Sequence, residues 1–161
     1  MRWAGFTREC PELGTIATEW IAERHILLLG TLRADGSPRI SAVECDIVGD
    51  DLCSGMIWQS AKALDLERDP RLTAHSLPPG LSNPDGDLKL YGTAVPVEGE
   101  QKREYERTLH ARIGWSPTEP YHCFALELAS VGFVRFRDNG RDSWSWRPGS
   151  SLRKSFQADI T

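Results

Sequence analysis

The chain has 161 residues, with 19 basic and 23 acidic side chains and a formal net charge of -4. A chain of this length can bury a core without metal or disulfide cross-links, so we expect one domain over residues 1–149. Residues 150–161 are expected to form a polar tail that is disordered or lies on a partner. The acidic balance disfavours binding to nucleic acid, because neutralising phosphates requires a basic face.

The chain carries no signal for a membrane or for export. Its longest strongly apolar run, Ile26 to Leu29, is far shorter than the roughly 20 residues of a membrane helix. The N-terminus also lacks the apolar core of a signal peptide. We therefore expect a cytoplasmic protein that binds a small molecule and has no membrane partner.

The four cysteines form no CxxC pair, which disfavours a zinc site or a redox motif. Cys45 and Cys53 flank a turn, where they could face each other across a hairpin. A reducing cytosol would nevertheless keep them as thiols. We predict free cysteines and no metal site.

The first part of the chain predicts a helix and a three-stranded meander. Ile16, Trp20 and Ile21 share one face of a helix over 15–25. Asp35-Gly36 between two apolar segments predicts a hairpin. The predicted strands cover residues 26–33, 38–48 and 52–58.

A short helix follows the meander. It is predicted over 60–68, with Ser60 as its cap, Leu64 on its inner side and Asp69-Pro70 as its end. Further elements are predicted as a strand over 72–77, a polar loop over 78–86, a strand over 88–97, a helix over 98–113 with Tyr105 and Leu109 inside, and strands over 121–128, 131–137 and 143–147. These short strands, joined largely by hairpins, favour an antiparallel barrel with outer helices over alternating βαβ units.

Ser60 and Lys62 are two residues apart at a junction of strand and helix. Free backbone N–H groups at such a junction, together with these side chains, make a small anion site, which indicates a phosphorylated ligand. The alternative is structural, with Ser60 as a helix cap and Lys62 as a solvated lysine.

The segments Gly30-Thr31-Leu32-Arg33-Ala34-Asp35-Gly36-Ser37-Pro38 and Ser60-Ala61-Lys62 through Asp69-Pro70-Arg71 resemble the pyridoxamine 5'-phosphate oxidase-like split-barrel family. The similarity extends over about residues 16–97. It implies a mainly β (α+β) fold, a six-stranded antiparallel split β-barrel with flanking helices. It also implies a homodimer with FMN, or a deazaflavin (coenzyme F-420), at the subunit interface. Some relatives bind haem instead.

The resemblance also implies a set of cofactor-binding residues. Ser60 and Lys62 would hold the phosphate with help from Arg39, and Trp146 would close the site from the partner. The edges of the ring would be contacted by Arg39, Ser41 and Val43 on the second predicted strand and by residues 56–59, among them Met56, Trp58 and Gln59, at the end of the third. Loops over 78–87 and 114–121 are expected to supply the substrate pocket.

This sequence departs from the oxidase pattern in three places. Ala61 and Ser41 stand where the oxidase has arginines, and no histidine follows Trp146 in the C-terminal signature. Losing two guanidinium groups removes bidentate phosphate contacts that lysine does not replace. Vitamin B6 oxidation is therefore disfavoured.

We predict an FMN-dependent oxidoreductase of unidentified substrate, with no catalytic side chain assigned. The alternatives are a deazaflavin-dependent reductase and a non-catalytic protein that binds flavin or haem. No nucleophile motif is present, which suits chemistry carried by a cofactor.

Two further features have structural and functional interpretations. His75 and His122 are expected to be core or surface residues rather than haem or metal ligands, and Trp144 and Trp146 share a strand face suited to stacking or dimer contact. From Val131 onward, basic residues exceed acidic ones. The basic residues are Arg135, Arg137, Arg141, Arg147, Arg153 and Lys154, and the acidic ones are Asp138, Asp142 and Asp159. This excess of basic residues predicts either a solvated face or a source of positive charge for the phosphate site of the partner subunit in a dimer.

Overall fold

The computed structural model describes residues 1–77 and 86–159, and within them it places four helices and nine strands. The helices are α1 (Trp3–Glu9), α2 (Pro11–Arg24), α3 (Ala61–Arg68) and α4 (Gly99–Ile113). The strands are β1 (Ile26–Leu32), β2 (Pro38–Glu44), β3 (Asp46–Val48), β4 (Asp51–Ile57), β5 (Arg71–Ser76), β6 (Asp87–Pro96), β7 (Tyr121–Arg137), β8 (Gly140–Trp146) and β9 (Arg153–Ala158).

The strands form one antiparallel sheet in the order β2-β1-β5-β6-β7-β4-β3, with β8 beside β7 and β9 beside β8. β2 and β4 meet where the Ser54 hydroxyl donates to the Glu44 carbonyl oxygen at 2.7 Å. The sheet thus curls toward closure without a strand ladder between β2 and β4. The predicted antiparallel split barrel with flanking helices is confirmed.

The core lies between the sheet and the first two helices. Phe6 of α1 packs against Trp146 of β8 with ring centroids 5.0 Å apart, and Trp20 of α2 meets Phe133 of β7 edge to face at 5.2 Å. These four rings are at most 8% exposed. Burying large aromatic groups in this way contributes heavily to stability and fixes how α1 and α2 sit on the sheet.

Two strand predictions need correction. The predicted strand over 38–48 is two strands, because the Cys45 amide between them donates to the His25 carbonyl oxygen rather than to a neighbouring strand. The predicted strands over 121–128 and 131–137 are the single strand β7. Small or polar residues at 129 and 130 disrupt the alternation, but the ladder continues past a register shift at Tyr91/Gly92 of β6.

The helix predictions are right in type and partly wrong in detail. α2 begins at Pro11, earlier than predicted, and α1 was missed. Leu64 is 39% exposed rather than inside, because Ala63 and Leu66 are the residues of α3 that face the core. Tyr105 and Leu109 of α4 are buried, as predicted.

The segment predicted as a polar tail contains β9, which pairs with β8 from Gly140↔Ala158 to Ser145↔Arg153. All six of its residues are exposed, so no hydrophobic alternation marks it in the sequence. The predicted polar loop over 78–86 lies outside the described residues, apart from Gly86.

All four cysteines are free, as predicted, and the structure shows that all four are buried. Asp46 rather than Cys45 lies opposite Cys53. The hydrogen bond with Cys53, together with burial, raises the pKa of the Cys123 thiol. Over the described ranges, no group of three or more His, Cys, Asp and Glu side chains is arranged to hold a metal ion, and no helix there is long and apolar enough to span a membrane.

Candidate functional site

A groove of about 440 Å³ opens between β2, β4, the first turn of α3, α4 and the loop that follows α4. Its lining is mostly apolar and aromatic: Ala42, Val43, Gly55, Met56, Ile57, Trp58, Tyr105, Leu109, Trp115, Pro117, Thr118, Pro120 and Tyr121. Four predicted cofactor-binding residues line it, namely Val43, Met56, Trp58 and Lys62. A long apolar slot of this kind suits a planar ring system.

Lys62 and Glu44 are the charged groups of this lining. Glu44 is partly neutralised, since its Oε2 lies 3.3 Å from Nη2 of Arg112. Lys62 has no ion-pair partner among the residues that the structure describes. Its ammonium group is therefore available to an anionic ligand at the α3 side of the groove.

Trp58 and Gln59 form a turn that is held by His122 on the neighbouring strand β7. The Trp58 and His122 rings stack at 4.4 Å with an interplanar angle of 12°. Gln59 has a left-handed backbone conformation with φ of 56°. Its backbone N–H donates to His122 Nε2 at 3.2 Å. Because His122 Nδ1 also lies 3.2 Å from Glu67 Oε1, both ring nitrogens are engaged.

Ser60 occupies the N-cap position of α3, as predicted, but its side chain makes no capping hydrogen bond. Its Oγ is buried and has no partner within the described part of the chain. A buried hydroxyl without a partner is costly unless something else satisfies it. This orphaned donor and Lys62, two residues later, fit the predicted anion site.

Arg39 does not line the groove. It lies in a neighbouring pocket of about 400 Å³ with Ala61 and Arg68. Its Nε donates to Oδ2 of buried Asp65 at 2.7 Å, and Thr31 donates to the same oxygen at 2.9 Å. Asp65 was not recognised from the sequence, where its i, i+3 spacing from Arg68 was the one local signal.

Ser41 is half-buried between Arg39 and Val43, on the same face of β2. This places it on the face that joins the pocket to the groove. Its role as a cofactor contact stays a prediction.

Tyr105 of α4 was predicted only as a core residue, yet it forms part of the groove wall. A Cβ at Gly55 would lie 2.8 Å from its ring and 2.9 Å from its hydroxyl oxygen, so glycine lets the ring approach β4 closely. Burial raises the pKa of Tyr105, which keeps the phenol neutral. Tyr105 thus contributes an uncharged surface to the groove.

Trp146 lies apart from the other predicted site residues. It is 1% exposed, packs against Phe6 and lines a different cavity. Because α1 of the same chain covers it, Trp146 is a core residue of its own chain. Its predicted role, to close the cofactor site of a partner subunit, stays a prediction.

No family model and no curated protein matches the sequence. Several solved structures resemble the fold. A pyridoxamine 5'-phosphate oxidase-related FMN-binding protein of Nostoc punctiforme is 14% identical with a TM-score of 0.64, over 94% of this chain and 98% of that one. PhzG of Burkholderia lata is 13% identical with a TM-score of 0.63, over 94% and 93%.

A haem-binding protein of Mycobacterium smegmatis is also similar, at 19% identity and a TM-score of 0.64, over 79% of this chain. The match spans 55% of that protein, so this chain corresponds to about half of its length. At these identities the likeness shows the fold alone. The resemblance predicted from residues 16–97 is confirmed at that level.

Proposed function

We propose, from the split-barrel fold shared with pyridoxamine 5'-phosphate oxidase-like proteins, that this chain is a flavin (FMN)-dependent oxidoreductase acting on a small molecule. The substrate is unidentified. The observation that carries the proposal is the apolar groove, whose lining includes the unpaired ammonium of Lys62. The unpartnered hydroxyl of Ser60, which is not itself part of the lining, lies two residues earlier in the chain.

The residues present fit a flavin. A flavin needs a flat apolar slot for its ring and fixed donors for its phosphate. Met56, Val43 and Trp58 supply apolar surface, and Ser60 and Lys62 supply donors. Arg39, oriented through its Nε by Asp65, keeps its terminal nitrogens free of the described residues and would assist at the phosphate. Ser41 and Gln59 remain proposed contacts at the edge of the site.

When bound, FMN would supply the hydride transfer. The chain's own residues would bind and orient the cofactor. Among the described residues that line the groove, Glu44 is the one carboxylate, and it is paired with Arg112. No protein nucleophile is needed for this chemistry.

A haem-binding function fits the groove less well. Haem proteins commonly ligate iron through histidine, and no histidine is among the described residues that line the groove. His122, which is adjacent through Trp58, has both ring nitrogens engaged. The similarity to a haem-binding protein therefore supports the assignment of the fold rather than haem as the ligand.

A deazaflavin cofactor (coenzyme F-420) is a second candidate, favoured by one observation. Ala61, in place of the family's arginine, borders the pocket that also contains Arg33, Arg39 and Arg68. A longer phosphate-bearing tail would find room there, and the three arginines outnumber Asp35 and Asp65, which line the same pocket.

The proposal is tested by the absorption spectrum of the purified protein and by titration with FMN. We expect bound flavin, and a Lys62→Ala variant that binds FMN about 10-fold more weakly, which corresponds to about 1.4 kcal/mol. Lys154→Ala, on β9 and outside the groove, is the matched control and should bind normally. Failure to retain FMN, or an unchanged affinity in Lys62→Ala, would contradict the proposal.

We further propose a homodimer with the cofactor at the interface and a cytoplasmic location. Exposed apolar side chains at the rim of the groove support the dimer, and four free cysteines suit a reducing compartment.

A further inference from the structure

We propose that His122 is a positioning residue for the anion site at Ser60 and Lys62. In its neutral form the ring holds the turn of Trp58 and Gln59 that precedes this site, and in its protonated form it releases the turn. The inference rests on the proposed cofactor site, because it concerns how the donors of that site are held. It adds a dependence of ligand binding on pH that originates in the protein.

His122 connects β7 to both ends of α3. Its Nε2 accepts the backbone N–H of Gln59 at 3.2 Å, one residue before the N-cap Ser60. Its Nδ1 lies 3.2 Å from Oε1 of Glu67, in the last turn of α3. The side chain is 7% exposed, so the ring has little freedom to move. One buried ring thus fixes how α3, with Ser60 and Lys62 at its start, lies against β7.

The turn before α3 depends on being held from outside. Gln59 has a φ of 56°, in the left-handed region that residues other than glycine disfavour. The Ser60 N–H donates to the Ile57 carbonyl oxygen at 3.0 Å, which closes the turn locally. His122 provides the acceptor for the N–H of Gln59 itself. Loss of that acceptor would leave a strained residue with an unsatisfied donor, so the turn would open.

The two hydrogen bonds define the tautomer of the ring. Because Nε2 accepts from Gln59, the proton of the neutral ring is on Nδ1, where it is directed at Glu67. A second proton binds to Nε2 and converts this acceptor into a donor that faces the N–H of Gln59. Histidine is the side chain that commonly gains its second proton between about pH 5 and 8. Mild acidification therefore breaks the bond that holds the turn.

The other neighbours of the ring tolerate both of its charge states. Glu67 of α3 is the acidic side chain within ion-pair distance of His122 among the described residues, and it accepts from Nδ1 in either state. The remaining neighbours are neutral: Met56 is opposite on β4, the Trp58 ring stacks at 4.4 Å, and the Phe124 ring lies parallel at 6.1 Å. An indole face also accommodates a cation. The backbone bond to the turn is thus the contact that changes with protonation.

The first test compares FMN affinity at pH 8 and pH 5.5 by flavin fluorescence. His122→Phe keeps an aromatic ring without the acceptor and should bind FMN about 10-fold more weakly than wild type at pH 8. His122→Gln places an amide oxygen near the position of Nε2 and does not titrate. It should bind within about 3-fold of wild type at pH 8.

The decisive comparison is the loss of affinity on acidification. The phosphate of FMN itself gains a proton near about pH 6, so every variant should lose some affinity. Wild type should lose about 10-fold more than His122→Gln, because the Gln59 bond is lost as well. His75→Gln, which removes a histidine of β5 outside the groove lining, is the matched control and should respond to pH as wild type does.

The second test needs no FMN. Hydrogen exchange of the Gln59 amide in the ligand-free chain, corrected for its intrinsic rate, should show protection at pH 8 that is largely lost at pH 5.5. In His122→Gln the protection should persist at both pH values. Protection that is unchanged by pH in wild type, or an equal loss of FMN affinity in wild type and His122→Gln, would overturn the inference. A chain that retains no FMN while the exchange follows His122 would contradict the flavin proposal alone.

Discussion

Asp65 is a buried carboxylate that organises one side of the candidate site. It accepts hydrogen bonds from Arg39, Thr31 and Arg68, at 2.7, 2.9 and 3.2 Å. Burial acts to raise its pKa, but these hydrogen bonds outweigh burial and lower the pKa below the ordinary value. The ionised form is therefore the one that the folded state binds more tightly.

We predict that Asp65→Asn lowers the free energy of unfolding by about 2 kcal/mol at pH 7, less than for a fully buried pair because Arg39 and Arg68 are partly exposed. A lowered folded-state pKa gives stability that is present above the unfolded pKa of about 3.9 and is lost as pH falls through the folded pKa. The difference between wild type and variant should accordingly shrink below about pH 4. Urea unfolding across pH 2.5–7 measures both effects.

Asp138→Asn is the control for this prediction, because Asp138 is exposed in a turn. It should change stability little at any pH. A gap between wild type and Asp65→Asn that stayed constant down to pH 2.5 would show that charge on Asp65 is not what stabilises the fold.

At the level of elements, β6 and β7 depend on a glycine at their register shift. A Cβ at Gly92 would lie 1.9 Å from the Glu127 carbonyl oxygen, which is backbone and cannot move aside as a side chain can. We predict that Gly92→Ala destabilises the protein by about 3 kcal/mol or prevents folding. Thermal and chemical unfolding provide the measurement.

Gly132→Ala, on the facing strand β7, is the matched control. A Cβ there meets nothing closer than 3.7 Å, so the substitution should be nearly neutral. Equal losses for both variants would indicate that glycine flexibility, rather than close backbone approach, determines the effect at Gly92.

Local signals predicted the elements that they control directly. Asp35-Gly36 lies in the turn that joins β1 to β2, α3 ends before Pro70, and Tyr105 and Leu109 of α4 face inward as their spacing indicates. β9 and the continuity of β7 were missed because the evidence for them is the pairing with another strand. A one-dimensional pattern does not contain that information.

The candidate site likewise contains residues with a local sequence signal and residues whose contacts are distant in sequence. Of the predicted site residues, Val43, Met56, Trp58 and Lys62 line the groove, and the resemblance covers the strand and junction that carry them. His122 and Asp65 act on residues far away in sequence, 63 residues from Gln59 and 26 from Arg39, so no local spacing indicates either contact. Trp146 lies under α1 of its own chain and lines a different cavity, and its role at a partner's cofactor site stays a prediction.

At the level of the whole molecule, four large apolar side chains at or beside the rim of the groove are exposed to solvent. Ile57 is 77% exposed, Trp115 56% and Trp58 49%, and all three line the groove. Ile40, on the adjacent strand β2, is 73% exposed. Exposed apolar groups gathered at a ligand groove are typical of an interface, and a second copy that covers them would also exclude water from the cofactor.

We therefore predict that the wild-type chain is a dimer by light scattering and that Ile57→Asp shifts it toward the 18.0 kDa monomer. A charge at the centre of an apolar interface is costly to bury, so the shift should appear at micromolar concentrations. The same variant should bind FMN more weakly, because the second copy would no longer cover the groove. Phe156→Asp, at a comparably exposed apolar residue on β9, should leave both mass and affinity unchanged. A monomeric wild type would refute the dimer, whereas dissociation by Phe156→Asp alone would place the interface on β9 and leave the groove open to solvent.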